Sequence, residues 1–364
     1  MQSRNRNIDM MRGILMIFMV IGHTASPVTY YIYLFHLAGF MLISGYCLTT
    51  RIFNKLELKD FIIKKIKRLY FPYVIANVIC ILLHNCFIKI HLYSTDKTVY
   101  SLEYYNGEIT NIYSIKDMII HISKTLLLLD GENILGAIWF IRVLFYVIIC
   151  FKIIETAMAK IFKTKTNEIM AGYAVGMLLI GYVLALKDIY LKCNMSSFFT
   201  YTFFLWLGTM LRKYENKIEN KDLNIILGII GFLIIYIIGK YTDYCGATGE
   251  NNYKNVLFTV LLAIAGWFFL KAISYFIGKS ELLGKSLEYV GKNTICILFL
   301  HFFAFKVVNL WQVKIYGFSL EAVSAFPYLI CEQGWWIVYT IVGVLLPLSM
   351  YKIIERCLAN NVQN

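Results

Sequence analysis

The segment IDMMRGILMIFMVIGHT, residues 8–24, is an apolar run that carries three ionisable side chains. It lies in a predicted span of residues 8–27, and a helix needs about 20 mainly apolar residues to cross the hydrocarbon core of a bilayer. Further apolar runs of similar length follow at residues 30–49, 70–89, 136–155, 169–186, 196–211, 223–239, 255–275, 294–310 and 334–354. The pattern predicts an all-α membrane protein, a polytopic bundle of about ten transmembrane helices that forms a single domain over residues 1–364.

The composition is that of a membrane protein. Hydrophobic residues make up 59% of the chain, charged residues 16%, and the mean hydropathy is +0.64. Soluble domains carry roughly 25% charged residues, so an ordinary cytosolic enzyme, a disordered protein and a secreted disulfide scaffold are excluded. The 9 cysteines form no CxxC pair and no metal-ligand pattern. We therefore expect no metal site.

The distribution of lysine and arginine predicts the orientation. The net charge is +13, and 23 of the 35 basic residues fall on one side of the predicted spans, against ten on the other. Because cytoplasmic loops of membrane proteins are enriched in Lys and Arg, both termini are predicted to be cytoplasmic. Basic residues interspersed between apolar spans also indicate contact with membrane lipids and no nucleic-acid partner.

The first predicted span carries ionisable side chains inside the membrane, where a charge is costly. Ionisable groups inside a membrane usually face the interior of the helix bundle or a wet cavity. Asp9 and Arg12 are three residues apart, so Asp9 can support Arg12 as an ion pair near the cytoplasmic end. Arg12 and His23 are eleven residues apart, about three helical turns, which places them on one face roughly 16 Å apart. An interfacial ion pair and a histidine bonded to a neighbouring helix would also explain these residues, but the shared face favours a polar track.

The two ends of this track suit different tasks. A neutral histidine, with an ordinary pKa of about 6.5, can take the proton of a hydroxyl that attacks an acyl carbonyl. An arginine can fix a phosphate or a carboxylate. Together His23 and Arg12 indicate transfer of a group from a charged donor to a hydroxyl acceptor.

Five further segments carry motif-like patterns. They are FHLAGFMLISGY (35–46), FIIKKIKRLYFPY (61–73), GAIWFIRVLFY (136–146), FFLWLGTML (203–211) and TICILFLHFF (294–303). With Arg-x10-His at Arg12 and His23, these segments resemble, in order, the motifs of the acyltransferase-3 family of integral-membrane O-acyltransferases. Each motif alone is weak evidence, whereas six in the expected order are strong evidence. The FH…SGY element favours the branch related to fucose 4-O-acetylases.

The resemblance implies an activity, a donor and a location. It implies an O-acyltransferase (acetyltransferase) of the bacterial cytoplasmic membrane, with acetyl-CoA as donor and a surface, exported or lipid-linked saccharide as acceptor. It makes His23 the catalytic residue and assigns Arg12 to the donor path. The family's Arg-x-x-Arg pair stands here as Lys65-x-x-Arg68 and is expected to bind the CoA phosphates, although lysine lacks the planar fork of arginine. Attraction to anionic lipids would also explain this basic run.

Other residues are candidates for acceptor binding or support. His36 is expected to hold the acceptor hydroxyl, or else to bond a neighbouring helix. Trp139 is expected to stack on a sugar or shape the donor slot, or else to anchor its span at the interface. Arg142 is expected to contact the acceptor or an acidic partner, or else to snorkel. Ser44, a supporting residue beside Gly45, is expected to allow close helix packing.

Two alternatives stay open at this stage. The acceptor hydroxyl attacks the donor directly, or the acyl group passes through an acyl-enzyme on His23. A transporter could also use Asp9, Arg12 and His23 as a substrate or proton relay, although the sequence has no visible repeats. His301 is expected to make only a polar contact at the outer end of its span, and the sequence does not determine the acceptor sugar, the acyl chain length or the oligomeric state.

Overall fold

A computed structural model describes residues 5–48, 56–97, 99, 109–218, 220–242, 244, 246, 248–250 and 252–363. Residues 51–55 and 100–108, which lie between predicted spans, are outside the described residues. Within the described ranges the chain is helical and has no strand. The helices are α1 (Arg6–Gly22), α2 (Thr29–Tyr33), α3 (His36–Leu48), α4 (Leu58–Lys65), α5 (Phe71–Lys89), α6 (Ile115–Leu126), α7 (Trp139–Phe162), α8 (Thr166–Leu186), α9 (Ser196–Ile218), α10 (Lys221–Tyr241), α11 (Val256–Gly278), α12 (Glu281–Lys292), α13 (Thr294–Tyr316) and α14 (Trp335–Gln363).

The membrane class predicted from the sequence is confirmed. In the described part of the chain, 7 segments are long and apolar enough to cross a membrane, and one of them, Asn133–Leu186, holds both α7 and α8. These segments contain eight of the ten predicted spans. The other two correspond to α1, which has only 17 residues, and to α9, whose second half carries Arg212 and Glu215. The number of ten spans and the cytoplasmic termini stay predictions.

The first helix is shorter than predicted. α1 ends at Gly22 instead of residue 27, and the N–H groups of His23 and Thr24 bond back to the carbonyls of Val20 and Ile21 at 3.1 and 3.0 Å. Pro27 follows, and proline lacks an N–H and disfavours a helical conformation in the residue before it. His23 therefore lies in the turn that closes α1, not inside a continuous helix.

The chain divides into two compact units. The first unit comprises Met1–Leu15, Tyr30–Tyr73 and Trp139–Gly291, and the second comprises Met16–Thr29, Val74–Ile138 and Lys292–Asn364. Arg12 belongs to the first unit and His23 to the second. The single domain predicted for residues 1–364 stays a prediction.

In the first unit α9 is the central helix. It packs against α3, α7 and α8, while α11 packs against α10 and α3. The contact between α3 and α9 depends on two buried glycines: a Cβ on Gly45 would overlap the carbonyl of Leu205, and a Cβ on Gly208 would overlap the carbonyl of Leu42. Because neither glycine has a side chain, the two backbones approach closely, as small residues allow in membrane helices.

In the second unit α13 is the central helix. It packs against α14 and against two short 3-10 turns, Asn133–Ile138 and Leu320–Ser324. Lys306 is buried and donates to the carbonyls of Ser324 and Ala325 at 2.7 and 2.8 Å, and Asn309, one turn later, donates to Ala325 at 2.9 Å. Lys306 therefore lies within α13, where the backbone carbonyls of the packed segment satisfy its charge.

The α3–α9 contact generates a stability prediction. Gly208→Ala should lower the free energy of unfolding by about 1–3 kcal/mol, because the added methyl group overpacks against backbone that has no rotamer to yield. Gly172→Ala in α8 makes the same chemical change at an exposed position with nothing within 4 Å, and should be neutral or slightly stabilising. Thermal unfolding of the two purified variants in detergent measures the difference. Equal midpoints would contradict the close contact.

Candidate active site

In the first unit Arg12 is held by two neighbours. Its Nη1 lies 3.4 Å from Asp9 Oδ1, and its Nη2 donates to Cys47 Sγ at 3.1 Å. Asp9 is buried, whereas Arg12 keeps 27% of its side chain exposed. The pair that the i, i+3 spacing predicted is therefore formed. It positions a partly accessible guanidinium, which is what an anionic ligand would require.

The basic segment, residues 61–73, adds Lys65 and Arg68 to the positive charge around Arg12. α4 ends at Lys65 and continues into a π-helical turn, Ile66–Tyr70, which contains Arg68. Lys65 lies within electrostatic range of both Arg12 and Arg68, and its Nζ lies 5.3 Å from the centroid of the Phe61 ring. Arg68 is exposed. π-helical turns are often found at functional sites, and three cations beside one buried carboxylate form a region that suits phosphate groups.

In the second unit His23 lies beside a second histidine. The His23 ring is stacked on His301, with ring centroids 5.4 Å apart and an interplanar angle of 28°, and it meets Phe302 edge-on at 5.0 Å. His23 is half-buried, and within the described residues no hydrogen bond to its ring nitrogens is formed. A histidine in this state offers a lone pair to a hydroxyl, as a general base must.

His301 is fully buried and its tautomer is fixed by geometry. Its Nδ1 lies 3.1 Å from the carbonyl oxygens of both Ile297 and Leu298. Carbonyls only accept, so Nδ1 carries the proton and Nε2 carries the lone pair. Nε2 has no hydrogen-bond partner among the described groups. The sequence analysis gave His301 only a minor polar contact, because no spacing along the chain indicates that α13 brings this residue to His23.

The acceptor candidates lie in the first unit. His36 is buried, its Nδ1 lies 3.1 Å from the carbonyl of Ile32, and its ring is stacked on Tyr33 at 5.2 Å. The expected position of His36 opposite His23 stays a prediction. Ser44 donates to the carbonyl of Phe40 in its own helix at 2.8 Å, so the close packing predicted here depends on its neighbour Gly45.

Trp139 and Arg142 occupy the first turn of α7. The indole of Trp139 is half-buried, and its edge faces Gly249 closely enough that a Cβ there would lie 2.9 Å away. Arg142 is buried and donates from Nη2 to Asn194 Oδ1 at 3.0 Å. Burial excludes the snorkelling arginine that the sequence left open, because the guanidinium does not extend into solvent.

The chain matches the family model described as "Acyltransferase domain" over residues 5–352. It belongs to the acyltransferase-3 family and, with its apolar helices, is an integral-membrane acyltransferase. It matches no curated protein and no solved structure. The branch related to fucose 4-O-acetylases is compatible with the family and stays a prediction. Among the described residues, no group of three His, Cys, Asp or Glu side chains could hold a metal ion.

The sequence did not predict the buried carboxylate of Glu132 in the second unit. Glu132 accepts from His84 Nδ1 at 3.0 Å and from Tyr93 Oη at 2.7 Å, and His84 Nε2 lies 3.1 Å from the carbonyl of Asn111. Burial raises the pKa of Tyr93, so its hydroxyl stays protonated and donates. His84 Nε2 also lies 3.2 Å from the Thr110 hydroxyl, which can donate or accept, whereas the proton between Nδ1 and the carboxylate comes from the histidine. This buried Glu132–His84 contact ties the segment that precedes the 3-10 turn Asn133–Ile138 to α5.

The Glu132–His84 pair generates a second stability prediction. Glu132→Gln should lower the free energy of unfolding by about 3 kcal/mol, because its NH2 group replaces one of the carboxylate oxygens that accept from His84 and Tyr93 in a buried site. The half-exposed His91–Glu321 pair is a matched control, and Glu321→Gln should cost about 1 kcal/mol or less. The thermal unfolding midpoints of the two variants measure this difference. A Glu132→Gln variant as stable as Glu321→Gln would show that the buried carboxylate does not stabilise the fold.

Proposed function

We propose that the chain transfers an acetyl or other short acyl group from cytoplasmic acyl-CoA to a hydroxyl of a surface or exported saccharide, including a lipid-linked one. The observation that carries this proposal is the half-buried His23 ring, stacked on His301, in a chain of the acyltransferase-3 family. A location in the bacterial cytoplasmic membrane is part of the same proposal. Membrane lipids are then its other partners.

The donor proposal is supported by the basic residues of the first unit. CoA carries several phosphates, and the side chains of Arg12, Lys65 and Arg68 supply cations of the matching charge. Arg12 can bind an oxyanion with a fork of N–H groups, whereas Lys65 acts as a point charge. Acyl-CoA supplies an activated thioester carbonyl when it is bound. The donor set fits phosphate, so we assign these three residues to CoA binding.

The base proposal is supported by the two histidines of the second unit. His23 takes the proton of the acceptor hydroxyl, whose oxygen then attacks the thioester carbonyl while the C–S bond breaks. His23 returns that proton to the departing thiolate, so atoms and charges balance. His301, whose Nδ1–H is fixed by two carbonyls, presents its Nε2 lone pair to a second hydroxyl of the acceptor, because the attacking hydroxyl has one hydrogen and gives it to His23. An acyl group carried on His23 remains the alternative mechanism.

The acceptor proposal is supported by aromatic and polar groups of the first unit. We assign His36, Trp139 and Arg142 to acceptor binding, since indole and imidazole faces suit the apolar face of a sugar ring. Ser44 and Asp9 support the site without touching the acceptor, Ser44 through α3 and Asp9 through Arg12. Transport is the alternative function, and the experiment below separates it from acyl transfer.

His23 is tested by thiol release. With acetyl-CoA and a mixture of host saccharides, wild-type protein in lipid should release free thiol, and His23→Ala should lose about 10²–10⁴-fold in rate because the hydroxyl keeps its proton. His121→Ala, which changes a histidine of an outer His–Asp pair, is the matched control and should keep full activity. His301→Phe retains ring packing but removes the lone pair, so kcat should fall while the KM for acetyl-CoA is unchanged.

Three results would contradict this scheme. Equal rates for wild type and His23→Ala would show that His23 is not the base and would make His36 the next candidate. An acetyl-CoA KM that rises with His301→Phe, at unchanged kcat, would make His301 a packing residue. Saccharide uptake without acyl-CoA, in the absence of thiol release, would favour transport.

The donor residues are tested by the Michaelis constant for acetyl-CoA. Lys65→Gln and Arg68→Gln should each raise that KM about 10- to 150-fold, because a charge-assisted contact to phosphate contributes about 1.5–3 kcal/mol. Lys59→Gln removes an exposed lysine of α4 and should leave the KM unchanged. If all three variants raise the KM equally, only the general positive charge of this surface matters. That outcome would withdraw the assignment of Lys65 and Arg68.

A further inference from the structure

Arg142 is a buried cation that has no counter-ion among the described residues. Only 7% of the residue is exposed, and it lies in the segment Asn133–Leu186, which is long and apolar enough to cross a membrane. Nη2 donates to the neutral side chain of Asn194 at 3.0 Å, whereas Nε has no hydrogen-bond partner in the described part of the chain. A guanidinium stays protonated under all ordinary conditions, so the positive charge persists at this buried position.

Other arginines of the first unit have a different environment. Arg6, Arg12 and Arg212 pair with Glu288, Asp9 and Glu215, respectively, although each keeps at least 27% of its side chain exposed. The fold thus supplies carboxylates to arginines that solvent could satisfy. Among the described residues it supplies none to Arg142, where desolvation makes an unpaired charge most costly. This contrast favours a bound ligand as the partner of Arg142.

The groups around Arg142 form a site for a sugar that carries an anion. Asn194, which contacts Arg142, also donates from Nδ2 to the carbonyl of Gly249 at 3.5 Å. Trp139, one turn before Arg142, lies against the same Gly249. Ser197 fixes this segment by donating to the carbonyls of Thr248 and Gly249 at 2.8 and 2.9 Å. The edge of an indole, an amide and a guanidinium whose Nε–H has no partner among the described residues therefore lie next to one stretch of backbone.

We propose that Arg142 and Asn194 bind the anionic group of an acidic saccharide, so that the acceptor is a sugar bearing a carboxylate or a phosphate. The proposal rests on the proposed function for its use as an acceptor site, and on the unpaired guanidinium for the site itself. The N–H edge of arginine matches the two oxygens of a carboxylate or phosphate. A uronic acid and a sugar phosphate share this chemistry. A neutral sugar would not neutralise the buried charge of Arg142.

The experiment compares three probes on purified protein in phosphatidylcholine nanodiscs, which carry no net lipid charge. The probes are methyl glucuronide, glucose 1-phosphate and methyl glucoside, and binding is followed by saturation-transfer NMR and by the thermal midpoint. At least one acidic probe should bind about tenfold or more tightly than the neutral one. The acidic probe that binds shows whether the site recognises a carboxylate or a phosphate.

Variants separate a ligand site from a structural arginine. Arg142→Gln should abolish the preference for acidic probes, and Arg142→Lys should retain part of it. Lys254→Gln, which removes an equal charge from an exposed Lys–Asp pair, should change nothing. Arg142→Met should unfold at the same temperature as wild type or higher without probe, because it removes an uncompensated buried charge. A lower midpoint for Arg142→Met, with all three probes bound equally by wild type, would make Arg142 structural and overturn the proposal.

Different results would overturn the anion site and the proposed acyl transfer. Acidic-probe binding that depends on Arg142, without any acetyl-CoA-dependent thiol release, would keep the anion site and overturn acyl transfer. Acyl transfer to neutral and acidic sugars at equal rates, unchanged by Arg142→Gln, would keep the enzyme and overturn the anion site.

Discussion

The low dielectric of the apolar helices imposes the constraint on which the rest of the structure depends: each buried charge needs a partner. Asp9 meets Arg12, Glu132 meets His84, and Lys306 meets two backbone carbonyls. These contacts also hold segments in place. Lys306 fixes the backbone around Ser324 against α13, and Glu132 ties the segment that precedes the 3-10 turn Asn133–Ile138 to α5. Polar pairing therefore supplies the specificity that non-directional apolar packing between helices does not provide.

Three buried nitrogens have no hydrogen-bond partner within the described residues: His301 Nε2 in the second unit, and Arg142 Nε and Trp206 Nε1 in the first. His301 Nε2 carries a lone pair and Arg142 Nε is a cationic N–H group, so these two would bind opposite kinds of ligand atom. A hydroxyl hydrogen suits the first and an oxyanion suits the second. Each unit therefore has a buried nitrogen with its own ligand chemistry.

The sequence predicted the features that depend on local pattern. Apolar runs predicted the helices, and the three-residue spacing of Asp9 and Arg12 predicted their contact. It could not predict contacts between distant helices, since these depend on packing: His301 beside His23, Glu132 beside His84, and the carbonyls that satisfy Lys306. The end of α1 at Gly22 was missed for another reason. The span of residues 8–27 was predicted from hydrophobicity alone, whereas Pro27 restricts the backbone before it and marks the break.

That helix end bears on the chemistry of His23. A side chain within a helix is flanked by neighbours three and four residues away, whereas His23 lies in the closing turn and has helix on only one side. Its backbone N–H is bonded to Val20, and its ring contacts His301 and Phe302. The residue is therefore positioned by its backbone and its ring contacts, while its ring nitrogens form no hydrogen bond within the described residues. His301 is held differently, because two carbonyls bond its Nδ1 and leave Nε2 without a partner among the described groups. The proposed base is thus positioned without using its lone pair, which is the condition for proton transfer to imidazole.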